Sequence, residues 1–556
     1  MPHNSSHRIF LGRIAKASLD VKNLSHELDV TVRGGTIVDG SGSEPFVADI
    51  GIKGGKIISI GNIDAPSRFE INARGLIVSP GFIDIHSHSD FVLPANPWSE
   101  GKVMQGVTTE VVGNCGMSAA PVNPERLEQM KKYVAFLCEE GLQWNWVGFG
   151  EYLDQLQESG TAVNVAALVG HNTIRAAVMG FEERQASSRE LDEMKALVSR
   201  CIEEGAFGLS SGLIYVPGIY AATVELVELC KVVSAHGGVY CTHIRGEGAN
   251  LIDSVKEAIQ IGEEAGVPVQ ISHLKASGRS NWGKVAEALK LVDEANSIGL
   301  DVTFDAYPYT AGMTTMTALL PPWALEGGVE GLLKRLKDTK TRAKLKSEIE
   351  GGFPDLAKDL VHDSGKSIMV AQCKTSKNKN LEGKTLFEAS KLRGKDVVET
   401  VLEILEEENA EVSIISFSMC EEDVRVVLNH PRAMIGTDAI DLSRGRPHPR
   451  AYGTYPRFLA RYVREGGLLT IQEAIRKMAS MPARRLGLKD RGLLRPGFCA
   501  DLVIFRMDAV EDVASFEEPR RFPKGIEHVL VNGQMAVENG KFLKKLNGKV
   551  LRKTRV

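Results

Sequence analysis

The 556-residue sequence has no surplus of charge of either sign: 67 lysines and arginines face 71 aspartates and glutamates, a net charge of −4. No broad cationic field is therefore on offer to nucleic acid or another polyanion. Cysteine is scarce, with eight residues at irregular spacing. That excludes a disulfide framework and fits a reducing compartment, the cytoplasm. No apolar run approaches the ~20 residues that cross a membrane. The stretch 1–27 is polar and mixed, and its apolar patch Ile9-Phe-Leu-Gly12 is too short for a signal-peptide core. It reads as an extension ahead of the folded part, begun at an upstream start codon.

What is present is globular: 43% of residues are hydrophobic and 25% charged. The length exceeds one ordinary core and implies a large catalytic domain with a smaller companion. Residues 28–79 and 485–545 read as β-rich. Leu28–Arg33, Ala48–Lys53 and Lys56–Ile60 alternate apolar and polar residues, separated by Gly34-Gly35 and Gly54-Gly55, which are hairpin signals. Ala500–Phe505 and Ile526–Gly533 repeat the style, so both chain ends are expected to build one small β-sandwich domain.

Residues 80–484 alternate strands with helical stretches such as Ser188–Glu204, Glu225–Ser234 and Asp253–Ala265. Repetition of this number implies an α/β fold of the (β/α)₈ TIM-barrel type. Nine strand-like runs compete for eight places. Val412–Phe417 is therefore assigned to an insertion after strand seven, about residues 311–420, which also holds the charge-rich helical piece Leu332–Glu350. An excursion at the catalytic end of a barrel suits a lid or a specificity element.

The chemistry sits at strand ends. Pro80-Gly-Phe-Ile-Asp-Ile-His-Ser-His88 closes an apolar run with His-x-His, and alternate strand residues share a face, so His86 and His88 point together. Cys115 ends strand two, His243 strand five, His273 strand six and Asp438 strand eight. A lone histidine at the end of a buried strand is more often packed than ligating. Six metal-capable groups in barrel order are hard to explain by packing. Imidazole and thiolate donors suit Zn²⁺ better than Mg²⁺ or Ca²⁺. Cys241, two residues before His243 and deeper in the barrel, is the alternative thiolate. Asp438 suits a general base that passes a proton to a leaving amine.

These residues resemble the amidohydrolase superfamily and, within it, the D-aminoacylase (N-acyl-D-amino-acid deacylase) family over about residues 28–540. The resemblance rests on Gly81–Asp90, Val111-Val-Gly-Asn-Cys-Gly116, Ser210–Pro217, Thr242-His-Ile-Arg245, Ser272-His-Leu-Lys275 and His448–Arg457. It implies that Cys115, His243 and His273 hold a tight zinc. His86, His88 and Asp438 would then border a second, weaker position that Cys115 bridges, with Asp438 as acid/base. Lys275, Tyr307 and Arg450 match positions that contact the substrate, the basic ones through its α-carboxylate. The implied reaction is zinc-dependent hydrolysis of a small-molecule N-acyl-D-amino acid to a carboxylate and a free D-amino acid. One departure bears on selectivity: Met313 stands where the family carries a hydroxyl, and methionine donates no hydrogen bond. Two other readings are a cyclic-amide hydrolase and a non-catalytic scaffold. Gly208-Leu-Ser-Ser-Gly212 lacks the lysine on strand four that the first usually carries, and the intact ligand set disfavours the second.

Overall fold

The structure, a computed structural model, describes residues 27–554. Of the expected extension at 1–27, all but Glu27 lies outside the described residues.

Eight parallel strands among the described residues close into a barrel: Phe82–Asp84, Val107–Val112, Asn164–Gly170, Gly208–Gly212, Val239–His243, Val269–Ile271, Val302–Ala306 and Ala433–Ile435. The third is interrupted at Leu168; its first half pairs with strand two and its second with strand four. Strands one and eight are joined through a parallel bridge between Ser87 and Ala439. Apolar residues fill the barrel because parallel strands are covered on both faces, so their runs are apolar throughout. Helices such as Ser188–Glu203 return the chain between strands. That helix starts at Ser187, whose amide donates to Glu190 Oε2 at 2.8 Å in a capping box.

The β-rich chain ends are hydrogen-bonded into one nine-stranded sheet. Leu502–Phe505 runs antiparallel to Ile77–Pro80, which joins the C-terminal limb to the N-terminal one. The two glycine pairs act differently from each other. Gly54-Gly55 makes the hairpin turn, but the first strand runs through Gly34-Gly35 from Leu28 to Ile37. Gly34, at φ 62°, forms a bulge there, and its amide donates to Asp49 Oδ1 at 2.8 Å.

Between strands seven and eight, Gly312–Thr315, Val412–Ser416 and Ile368–Cys373 form a separate antiparallel sheet with Val412–Ser416 at its centre. Its core, including Leu332, Leu345, Val401 and Ile414, is distinct from the barrel's. The ninth strand-like run therefore belongs to the excursion. The charge-rich piece expected at Leu332–Glu350 is two helices, Gly328–Lys337 and Thr339–Glu350. Asp338 breaks them, its carboxylate capping the second by accepting from Thr341 N at 2.8 Å. No described helix is long and apolar enough to cross a membrane.

Candidate metal centre

The C-terminal mouth of the barrel gathers the six strand-end residues. His86, His88, Cys115 and Asp438 form one buried group, and Cys115, His243 and His273 another, with ligand-capable atoms within 4.8 Å of one another in each. Cys115 belongs to both. Its Sγ lies 3.3 Å from His86 Nε2 and 3.5 Å from His273 Nε2. Asp438 Oδ1 lies 3.2 Å from His88 Nε2 and 3.5 Å from His86 Nε2.

The backbone is bent to make this possible. Cys115, His273 and Asp438 have φ of 52°, 36° and 49°. Non-glycine residues in that region are strained, and such strain gathers where surrounding structure fixes a functional side chain. Around Cys115 the loop is pinned by its glycines. A Cβ on Gly113 would lie 2.0 Å from the Leu168 carbonyl oxygen, and one on Gly116 would lie 2.2 Å from Asn172 Oδ1. Ser210, in the middle of strand four, braces the loop by accepting from Gly116 N at 3.0 Å and donating to the Gly113 carbonyl.

Two carboxylates that the strand-end pattern did not single out orient the imidazoles. Asp305 on strand seven meets His86 Nδ1 at 3.0 Å and accepts from His273 N at 2.8 Å. Glu247 lies 2.9 Å from His273 Nδ1. These contacts fix the two rings so that each Nε2 faces Cys115, the orientation ligating histidines require. Asp305 sits two residues before Tyr307 and Glu247 four after His243. Those offsets are the signals that could have found them.

The electrostatics agree. Burial alone would push the Cys115 thiol up, but the charges of His86 and His273 outweigh it and hold the thiol well below its usual range. Burial pushes His243 down and keeps it neutral. Burial would also lower His88, yet Asp438 and Cys115 lift it to about 9. Such an anionic field holds a proton, and a cation equally. Burial would raise Asp438, but Arg450 and His86 keep it well below the carboxylate range. Neither ring nitrogen of buried His243 has a hydrogen-bond partner among the described residues. An orphaned pair of this kind is expected of a ligand awaiting its metal. Nitrogen and sulfur donors fit zinc.

Cys241 is not part of this cluster. It packs in the barrel floor with Ile85, Val111 and Met434, and burial raises its thiol far above the usual range. Sharing a face with His243 places it one layer deeper, away from the mouth. Lys275 lines the cavity, but its ammonium pairs with Glu247 and donates to the His273 carbonyl at 3.0 Å. Arg450 is fully buried, 2.9 Å from Asp438 Oδ2 and stacked 4.5 Å over the Tyr307 ring. Its three guanidinium nitrogens have no aligned hydrogen-bond acceptor among the described residues, nor has Tyr307 Oη a partner. A cavity of about 640 Å³ lies over His88, Cys115, His243, His273 and Asp438. The insertion contributes Met313, Leu320, Pro322, Leu325 and Phe353 to its wall.

A profile of the amidohydrolase family matches residues 70–537. The chain belongs to the amidohydrolase family. Among relatives in that family, a D-aminoacylase from Alcaligenes xylosoxydans xylosoxydans is 37% identical over 95% of this chain and 99% of its own. An N-acyl-D-glutamate deacylase from the same organism is 34% identical over 92% of this chain and 94% of its own. A solved N-acyl-D-glutamate deacylase from Bordetella bronchiseptica, complexed with zinc and a phosphonate mimic of the tetrahedral intermediate, matches this amidohydrolase with a TM-score of 0.81 at 32% identity. That match covers 95% of this chain and 100% of the other.

Proposed function

We propose that this amidohydrolase is a zinc-dependent N-acyl-D-amino-acid deacylase. The observation that carries the reading is the sharing of Cys115 between two buried groups of metal-capable side chains. Cys115, His243 and His273 would hold zinc tightly, while His86, His88 and Asp438 border a second, weaker position. When bound, zinc supplies a Lewis acid for the amide carbonyl and acidifies a water for attack. Asp438, ionised by its cationic neighbours, takes the proton of the attacking water. It then delivers a proton to the departing nitrogen as the C–N bond breaks. The products are a carboxylate and a free D-amino acid. Arg450 and Tyr307 carry unspent buried donors and suit the substrate's α-carboxylate. Lys275, already paired with Glu247, braces His273 on the same wall.

The cavity also favours an apolar substrate side chain. Its four lining cations are each paired with a carboxylate: Lys132 with Glu330, Arg245 with Glu257, Lys275 with Glu247 and Lys358 with Asp355. An acidic side chain would find no free partner there. The volume suits an N-acyl amino acid, since small-ligand sites span roughly 300–1,000 Å³. The test is turnover of N-acetyl D- and L-amino acids by the zinc-loaded protein, with metal content measured alongside. Activity on D-substrates that disappears on chelation and returns with zinc is the expected result, and a zinc-loaded protein inert to the whole D-panel would defeat the reading.

A further inference from the structure

One hydroxyl on the cavity wall has no work within the protein. Ser416 ends the central strand of the insertion's sheet, is 6% exposed and lines the cavity. Its Oγ has no hydrogen-bond partner among the described residues. Neighbouring hydroxyls are engaged: Thr314 with Tyr215 at 2.9 Å, and Ser418 with Ser277 at 2.9 Å. A buried hydroxyl left unsatisfied costs free energy unless a ligand completes it.

Register gives that hydroxyl a direction. Ser416 stands directly opposite Gly312 in the antiparallel pair. Opposed residues put their Cβ atoms on one face, roughly 5 Å apart. A Cβ on Gly312 would lie 3.2 Å from Tyr307 Oη. The Ser416 side chain therefore leaves the sheet on the Tyr307 side, and the missing side chain at Gly312 keeps the space between them open. Met313, paired with Ile415 on the other face, packs toward the barrel core and also reaches the cavity wall, but carries no donor. Beyond Tyr307 lies the Arg450 guanidinium, ion-paired with Asp438 and without an aligned hydrogen-bond acceptor among the described residues. Two unpartnered hydroxyls on one wall, backed by a buried guanidinium, suit an acceptor-only group, and a carboxylate accepts several hydrogen bonds at once.

Building on the deacylase reading above, we propose that Ser416 is a substrate-binding residue that donates a hydrogen bond to the α-carboxylate of the N-acyl-D-amino acid beside Tyr307. Specificity for the carboxylate is thus supplied in part by the insertion, not by the barrel alone.

The test is steady-state kinetics of the zinc-loaded protein with N-acetyl-D-leucine. Ser416→Ala should raise KM about tenfold or more, the worth of a hydrogen bond to a charged group, with kcat within about threefold of wild type. Ser416→Thr, which keeps the hydroxyl, should return KM to near wild type. Ser413→Ala removes the other unpartnered buried hydroxyl of the same strand, away from the cavity wall, and should leave KM unchanged. A Ser416→Ala KM within twofold of wild type overturns the proposal. So does a loss that Ser413→Ala reproduces, because it would report strand packing. Failure of the deacylase reading itself would appear in the wild type, as absence of turnover; failure of this proposal appears only in the variants.

Discussion

The carboxylate of Asp438 faces the buried guanidinium of Arg450 at 2.9 Å while its other oxygen faces His88. That carboxylate is thereby held ionised between a buried guanidinium and the metal-capable cluster. Asp438→Asn removes the proton acceptor but leaves Cys115, His243 and His273 in place. Turnover should fall by about 10²–10⁴ in kcat with zinc content retained, as shown by kinetics beside metal analysis. Near-normal turnover would assign the base elsewhere.

Cys115 is common to both ligand groups. Cys115→Ala should therefore lower zinc content more than His88→Ala does, because it removes a donor from the tighter position as well as the weaker one. Equal stoichiometry in the two variants, measured after dialysis, would move the tight site away from Cys115.

Asp305 holds His86 by its Nδ1 and receives the His273 amide. Loss of such an orienting carboxylate typically costs 10–100-fold in metal affinity or activity. Asp305→Asn should show a loss of about that size. A competition titration with a chelator measures the affinity part, and wild-type values there and in turnover would show the contact to be incidental.

With every cation on the cavity wall paired, a substrate carboxylate in the side-chain pocket would be desolvated without compensation. N-acetyl-D-leucine should exceed N-acetyl-D-glutamate in kcat/KM by about tenfold or more. The reverse order would mean that one of these ion pairs opens for substrate.

Away from the site, Glu225 is buried between His171, at 2.8 Å, and Arg175. Burial would raise its pKa, but His171 and Arg175 pull it below the ordinary carboxylate value. A depressed carboxylate contributes stability above the unfolded-state pKa and loses it as the pH falls through the folded one. Glu225→Gln should thus cost about 3–5 kcal/mol at neutral pH, by leaving Arg175 buried and unpaired. The gap to wild type should narrow below about pH 4, as denaturant titrations at the two pH values would reveal. A constant gap would mean that shape rather than charge sets the cost.

Much of the fold was legible because barrel strands announce themselves as apolar runs at regular intervals, each ended by a polar residue. His86, His88, Cys115, His243, His273 and Asp438 all close such runs, and the structure brings all six to one mouth. Asp305 was harder to read, since a carboxylate inside a strand looks the same whether it braces a ligand or satisfies a neighbour. The break at Asp338 and the bulge at Gly34 depend on single capping and φ preferences that periodicity does not report.

Local chemistry, written in the sequence, determined the strand order, the donor types and hence the class of metal and reaction. Contacts between residues far apart in the chain decided the rest. Cys241 and Cys115 carry the same thiol, yet one lies in an apolar floor and the other between imidazoles. Arg450 became the buried partner of Asp438 only when the helix that starts there packed against Tyr307. Ser416 reached the cavity only through its register with Gly312. Spacing along the chain sets which face a side chain takes, but burial, partnership and charge state depend on what folds against that face.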